Sequence, residues 1–223
     1  MKNLADRFLS EGEKKKIIES VKKVENITSG EIVPMVVSSS YAYPLAEVKG
    51  AAFFSIPAAI ALTYLAVQQS LLMEYFPYLY YSMWMFLGIG MVLYVLSYFL
   101  LKYIPSMKRM FIADAEIDEE VKEAAVTSFF RNGLYLTRDK TGVLIFISVF
   151  EHRVWVLADN GINEKVDKKM WDEIVQHIIR GIKEKRQGDA ICESITRVGE
   201  ILKEHFPVRP DDKDELDNLI IGE

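Results

Sequence analysis

The side chains best suited to chemistry gather at the ends of apolar runs. Asp139 precedes the run Val143–Phe150, and Asp159-Asn160-Gly161 closes the run that starts at Arg153. Carboxylates at such positions can hold a hard cation, Mg²⁺ or Ca²⁺, through oxygen ligands. In open α/β sheets, ligands settle at the carboxyl ends of strands. Asp139 and Asp159 are therefore candidate metal ligands, with Glu31 as a further acid at a strand end and Asn160 and Gly161 as candidate binding positions. Turn chemistry competes with this reading, because an Asp before Asn-Gly also bonds its local backbone.

Glu151-His152-Arg153 reads as a polar hairpin tip. His152 could exchange a proton near neutral pH, and it and Arg153 are candidate binding residues; the plainer reading is a solvated turn histidine. His177 and His205 fall on helical stretches as surface residues. Cys192 lies near a helix start, a position where a thiol can become reactive, although a small buried thiol is the safer reading. Asp212, Asp214 and Glu223 match the first, third and twelfth positions of an EF-hand loop, but Leu216 and Asp217 occupy its fifth and sixth, so that reading fails. The sequence contains no G-x-x-x-x-G-K-[ST], G-x-S-x-G, C-x-x-C or H-E-x-x-H. Phosphate chemistry here would rest on carboxylates holding a metal that polarises the phosphoryl group.

The elements that must position these residues follow from periodicity. Ser10 and Glu13 form a capping-box pattern, and Ile17, Ile18, Val21, Val24 and Ile27 repeat at helical spacing, predicting a helix over 11–27 that ends at Thr28-Ser29-Gly30. Glu31–Val37 is a strand with both faces covered, and Pro34 argues for an edge or a bulge. A helix over 114–130, capped by Asp114 or Asp118, buries Ile117, Val121, Ala124, Ala125 and Phe129 and ends at Asn132-Gly133. Val143–Phe150 is a central strand, joined through Glu151-His152 to an antiparallel strand Arg153–Asp159. Helices over 167–185 and 190–206 follow, the first burying Met170, Trp171, Ile174, Ile178 and Ile182. Asp189 caps the second, which buries Ile191, Ile195, Val198 and Leu202, and Pro207 ends it. The tail 208–223 is disordered or an extended strap.

Between the first strand and the next helix lies an apolar insertion, Gly50–Leu101, with Glu74 its single charge. Each half is long enough to cross a bilayer as a helix. Ala51, Ser55, Ala59 and Thr63 put small side chains on one face of the first span, with Gly88 and Gly90 as their counterparts on the second, so the spans pack on each other. Pro57 is tolerated inside a membrane helix. No ionisable group inside either span suggests an ion path. Tyr75, Tyr78, Tyr80, Tyr81 and Trp84 read as an aromatic belt at the turn. Lys49, Lys102, Lys108 and Arg109 flank the insertion and none flanks the turn, which places both ends in the cytoplasm. The N-terminal stretch carries no secretory signal.

The chain of 223 residues holds 32 acidic and 27 basic groups, a net charge of −5. That balance argues against nucleic acid as a partner. One cysteine fits a reducing compartment.

Taken in order, Leu9–Glu13, Thr28–Val33, Thr141–Ser148, Glu151–Ile162, Gly188–Ala190 and His205–Pro207 resemble the TPM domain family. The tail Arg209–Leu216 resembles a bacterial membrane-anchored subgroup of it. The family includes thylakoid-lumen proteins linked to photosystem II repair and a receptor accessory protein. The resemblance implies a compact three-layer α/β/α fold with a short mixed sheet. It also implies a proposed phosphatase activity and divalent-cation binding in some members, for which Asp6 is the nearest equivalent of the acidic opening found in many secreted relatives.

The expectation is one discontinuous cytoplasmic α/β domain, 1–49 and 104–207, with a transmembrane hairpin, 50–103, inserted in it and a tail, 208–223. The chain is expected to be an integral protein of the inner membrane with two spans. Its partners are the lipid bilayer and another membrane protein whose assembly, turnover or activity it assists, with a homo-oligomer as a further option. The alternative is a metal-dependent phosphatase at the cytoplasmic membrane surface. A channel or transporter has two uncharged spans against it.

Overall fold

A computed structural model of the chain describes residues 4–69, 78–208 and 216–222. Helix α1 (Leu4–Phe8) leads into α2 (Glu11–Glu25). There the Ser10 hydroxyl accepts from the Glu13 N–H while the Glu13 carboxylate accepts from the Ser10 N–H, so the capping box is complete. Strand β1 (Glu31–Val37) follows, then the long helices α3 (Pro44–Gln69) and α4 (Tyr78–Tyr103), the short α5 (Pro105–Arg109), and α6 (Asp114–Arg131). A single 3₁₀ turn, Leu134–Leu136, leads to β2 (Gly142–Ser148) and β3 (Arg153–Ala158). Helices α7 (Asn160–Asn163), α8 (Lys168–Lys183) and α9 (Gln187–His205) precede β4 (Ile220–Gly222).

The chain divides into two compact units, Met1–Tyr41 with Ala115–Glu223, and Ala42–Asp114. The first is a mixed α/β layer structure with strand order β3-β2-β1-β4. β1 pairs with β2 in parallel, Glu31 opposite Gly142 through Val37 opposite Ser148, and β3 returns antiparallel to β2. On one face, Ile32, Val36, Val143, Ile145 and Ile147 meet the stripes of α2, α8 and α9, namely Ile17 and Val21, Trp171 and Ile178, and Ile191 and Ile195. On the other, Val33, Leu144 and Phe146 are equally buried. α6 serves that face: the Asn132 side chain at its end contacts the Met35 sulfur. β2 is buried along its whole length, as its unbroken apolar run requires.

Several local expectations change. β4 adds the last apolar residues of the tail to the sheet, pairing Ile220 and Ile221 with Met35 and Val36. The reason is visible in β1. Glu31 donates its N–H to Thr141 on the β2 side, and Ser38 donates to Gly222 on the β4 side. Alternation along the strand then turns the Pro34 nitrogen toward the β4 side, just ahead of where β4 begins. Proline thus occupies the one stretch of β1 that forms an edge, and Ile220-Ile221 covers the remaining exposed groups.

The β2–β3 connection spans Val149–His152 rather than Glu151-His152 alone, with His152 at φ 51°. Asp118 does not cap α6, which starts at Asp114. Asp189 lies inside the first turn of α9 and is not its cap. Ile27 is exposed, since α2 stops at Glu25 and the periodicity no longer applies. Gly133, at φ 73°, takes the left-handed position that closes α6.

In the second unit, α3 starts at Pro44, ahead of the charge-free run, because Glu47 and Lys49 fit within its first turns. Ala51, Ser55, Ala59 and Thr63 are all buried, and Val67 continues the stripe. A Cβ on Gly90 would stand 3.6 Å from the Ala59 Cβ, so this pair lies in the seam between α3 and α4, whereas Gly88 faces open space. Pro57 sits inside α3. Trp84 is exposed. The turn around Tyr75, the side chains of Tyr78, Tyr80 and Tyr81, and the EF-hand-like positions Asp212, Asp214 and Glu223 lie outside the described residues.

Candidate functional site

β1 and β2 run in parallel and β3 runs against them, so the sheet has two chemically distinct edges. Asp159 follows the carboxyl end of β3, and that end is the amino edge of β1 and β2. Glu31 starts β1 opposite Gly142, and Asp159 donates its N–H to the Gly142 carbonyl. The structure thus brings Glu31 and Asp159 onto one edge. The Asp159 carboxylate caps α7, accepting the Asn160 N–H at 2.6 Å. A Cβ on Gly161 would meet the Asp139 and Lys140 carbonyls at 2.8 and 2.7 Å, so this glycine is needed for close backbone packing.

Asp139 and Asp159 open onto different grooves. Asp139 shares one with Glu164, Lys165 and His205, and Asp159 shares another with Phe129, Tyr135 and Lys140. Asn160 is an exposed helix-start residue. Among the described residues no three His, Cys, Asp or Glu side chains converge as a metal site.

The opposite edge, at the carboxyl ends of the parallel strands, carries an arrangement that the sequence reading passed over. β1 runs out into Ser38-Ser39-Ser40, and β2 ends at Ser148, followed by Glu151. Glu151 is not part of a solvated tip: it is 0% exposed. Its carboxylate accepts from the Ser39 hydroxyl at 3.0 Å, the Ser40 N–H at 2.9 Å and the Ser148 hydroxyl. The Ser40 hydroxyl bonds Ser148 in turn at 3.0 Å, and Ser38 accepts the Ala5 N–H at 3.0 Å. A buried carboxylate is tolerated only when it is this well bonded. Here its work is positional. It pins residues 39 and 40, the last of the α/β unit before Tyr41, to the end of β2. The available signal was a lone Glu just after an unbroken apolar strand, with a serine run after the neighbouring strand.

His152 and Arg153, the candidate binding residues, flank this network. His152 is exposed. Arg153 donates through Nε to Asp118 at 2.6 Å, which ties β3 to α6. Elsewhere in the α/β unit, His177 bonds Glu193 at 2.7 Å across α8 and α9, and Cys192 is half-buried on α9.

The second unit holds a comparable buried charge. Lys108, on α5, is 2% exposed; its ammonium lies 2.7 Å from the Glu47 carboxylate on α3 and also donates to the Ala42 carbonyl. The segments before and after the long helices are thereby clamped to each other within this unit. Lys108, expected as a free basic flank, is instead neutralised by Glu47, a residue the sequence reading did not pair with it.

Comparison with known proteins shows what this chain is similar to. Residues 108–201 match the model of the TPM domain family, a stretch that runs from within α5 to within α9 and leaves α2 and β1 outside. Comparison with curated proteins gives no match. Among solved structures the chain is similar to the NMR structure of the BA42 protein from the psychrophilic bacterium Bizionia argentinensis. The identity is 19% and the TM-score 0.58, over 97% of this chain and 96% of that one. At that identity the likeness speaks for the fold.

Proposed function

Taking residues 108–201 as a TPM domain, we propose that this chain is a membrane-anchored accessory module of a bacterial inner membrane. Its hairpin crosses the bilayer twice, and its α/β unit acts at the cytoplasmic surface on the assembly, turnover or activity of another membrane protein. One observation carries the reading. The two long helices of the unit Ala42–Asp114 bury a narrow seam of small residues and leave Phe53, Ile60, Tyr64, Met91 and Leu96 exposed. Soluble monomers keep contiguous apolar patches to a few hundred Å². Both helices are long and apolar enough to cross a membrane. Each has 26 residues. At about 1.5 Å rise per residue, that is roughly 39 Å against a hydrocarbon core of about 30 Å.

Lys49, Lys102 and Arg109 at the two ends, with no basic residue between Gln69 and Tyr78, support a cytoplasmic location of both termini. The small-residue face of α3 is occupied by α4, so a membrane partner would meet the outer, large-residue faces.

The test uses the full chain in membranes, with Cys192 replaced by Ser and a single cysteine placed at position 70 or position 10. Resistance to alkaline extraction, with external labelling at 70 and none at 10, is the expected result. Extraction into the soluble fraction would overturn the anchor, and the reverse labelling would overturn the orientation. Cross-linking should recover a membrane protein, and recovery of none above background argues against the accessory role. Turnover of a phosphate monoester with Mg²⁺ or Ca²⁺, lost in Asp159→Ala with the fold retained, would replace this reading by the phosphatase one.

A further inference from the structure

Beside His152 and Arg153, at the carboxyl end of β2, lies a pocket of about 380 Å³ that the reading above does not use. It is formed where α1, β2, β3 and α8 converge. Its apolar lining includes Phe8, Ile147, Ile179 and Ile182, and its charged lining is Arg153 and Lys183, with His152 beside them. Among the described residues no carboxylate lines it, although acids outnumber bases in the chain, 32 to 27. Apolar walls whose charged lining is basic, with the Ser148 hydroxyl as the neutral polar group, complement an amphiphile with an anionic head.

Two quantities narrow the class. The volume sits near the lower end of the roughly 300–1,000 Å³ of ordinary ligand sites, enough for one acyl chain and too little for a two-chain lipid. Arg153 is already engaged by Asp118 at 2.6 Å, which leaves Lys183 as the cation for a head of single charge. That favours a carboxylate over a phosphate monoester. The position also agrees with the preference of α/β sheets for ligands at the carboxyl ends of their parallel strands.

We propose that this pocket binds a free fatty acid, its acyl chain against Phe8, Ile147, Ile179 and Ile182 and its carboxylate at Lys183. All the lining residues belong to the α/β unit, so the proposal stands or falls apart from the membrane reading.

The experiment uses the full chain in nanodiscs of zwitterionic phospholipid, with a diazirine-bearing palmitic acid and, in parallel, the diazirine alcohol of equal chain length. After irradiation, labelled peptides are mapped by mass spectrometry. Labelling by the acid within 147–154 and 179–183, several-fold above the alcohol, is the expected result. Lys183→Glu, an exposed position, should reduce that labelling about five- to tenfold. Ile182→Trp, which fills the pocket, should abolish it; the circular dichroism spectrum checks that each variant is folded. Labelling confined to α3 and α4 would overturn the proposal, since it would report partition into the bilayer alone. Equal labelling by acid and alcohol, or a yield unmoved by Lys183→Glu, would overturn the carboxylate assignment.

Discussion

Replacing Lys108 by methionine keeps the length of the side chain and removes the ammonium that faces Glu47. Lys108 is 2% exposed, the Glu47 side chain is 12% exposed, and the pair stands at 2.7 Å. The variant leaves a mostly buried carboxylate without its counter-charge and the Ala42 carbonyl without its donor. Breaking a buried pair from one side costs about 3–5 kcal/mol, because the stranded charge keeps its desolvation penalty. The double variant Lys108→Met/Glu47→Leu removes both charges, and apolar replacement of a whole buried pair is often neutral or stabilising. Lys14→Met, which breaks the surface pair with Glu11, should leave the midpoint almost unmoved and serves as the control.

For a chain of this length, 1 kcal/mol shifts the thermal midpoint by about 2–4 °C. Lys108→Met should therefore lose roughly 6–20 °C of midpoint in nanodiscs, followed by circular dichroism, and the double variant should recover most of that loss. A single variant that melts with the Lys14→Met control, or a double variant whose losses simply add, would refute the coupling.

Glu151→Gln turns an acceptor of three donors into a group that brings its own N–H₂, so the buried network mismatches; the expected cost is about 1–3 kcal/mol, read as faster hydrogen exchange at the Ser40 amide. Burial pushes the Glu13 carboxyl up, but bonds from the Ser10 N–H and hydroxyl and from the Gly188 N–H outweigh it and hold the pKa below its ordinary value. A depressed carboxylate stabilises the fold above the unfolded pKa, about 4.3 for glutamate, and that stabilisation is lost as pH falls through the folded value. Ser10→Ala should accordingly cost about 0.5–2 kcal/mol at pH 7 and less at pH 3, and denaturant midpoints at the two pH values check it. A Cβ on Gly181 would meet the Ala190 Cβ at 2.1 Å; Gly181→Ala should cost about 1–3 kcal/mol by overpacking α8 against α9, and pairing it with Ala190→Gly should relieve the loss.

How far the sequence carried depends on the range of the interaction. The α2 capping box, the Gly133 terminator, the stripes of α8 and α9 and the apolar runs of β2 and β3 are local patterns, and all were legible. The hairpin seam was legible too, since Ala51, Ser55, Ala59 and Thr63 recur at a helical period. Gly88 was not separable from Gly90, because the register between two helices depends on their packing. β4 escaped notice because three residues carry no periodicity; it forms where Pro34 leaves an edge of β1 open. At the candidate site, the residue types marked Asp159 and Gly161, and the tertiary structure adds a helix cap at the first and a close backbone approach at the second. Which sheet edge is the carboxyl one for both inner strands depends on β1 and β2 running parallel, a long-range pairing that no local pattern states, and it is this edge that holds Ser148 and Glu151.

By itself the sequence determined the longer elements and the two apolar spans, since a helical stripe, an apolar strand and a charge-free run are stated by neighbouring residues. The tertiary structure decided the fate of the charges. Glu151 is buried against Ser39 and Ser40, more than a hundred residues earlier, and Lys108 against Glu47 and Ala42 across the whole hairpin. A charge can be buried only where distant groups neutralise or bond it, and no local pattern specifies which groups those are.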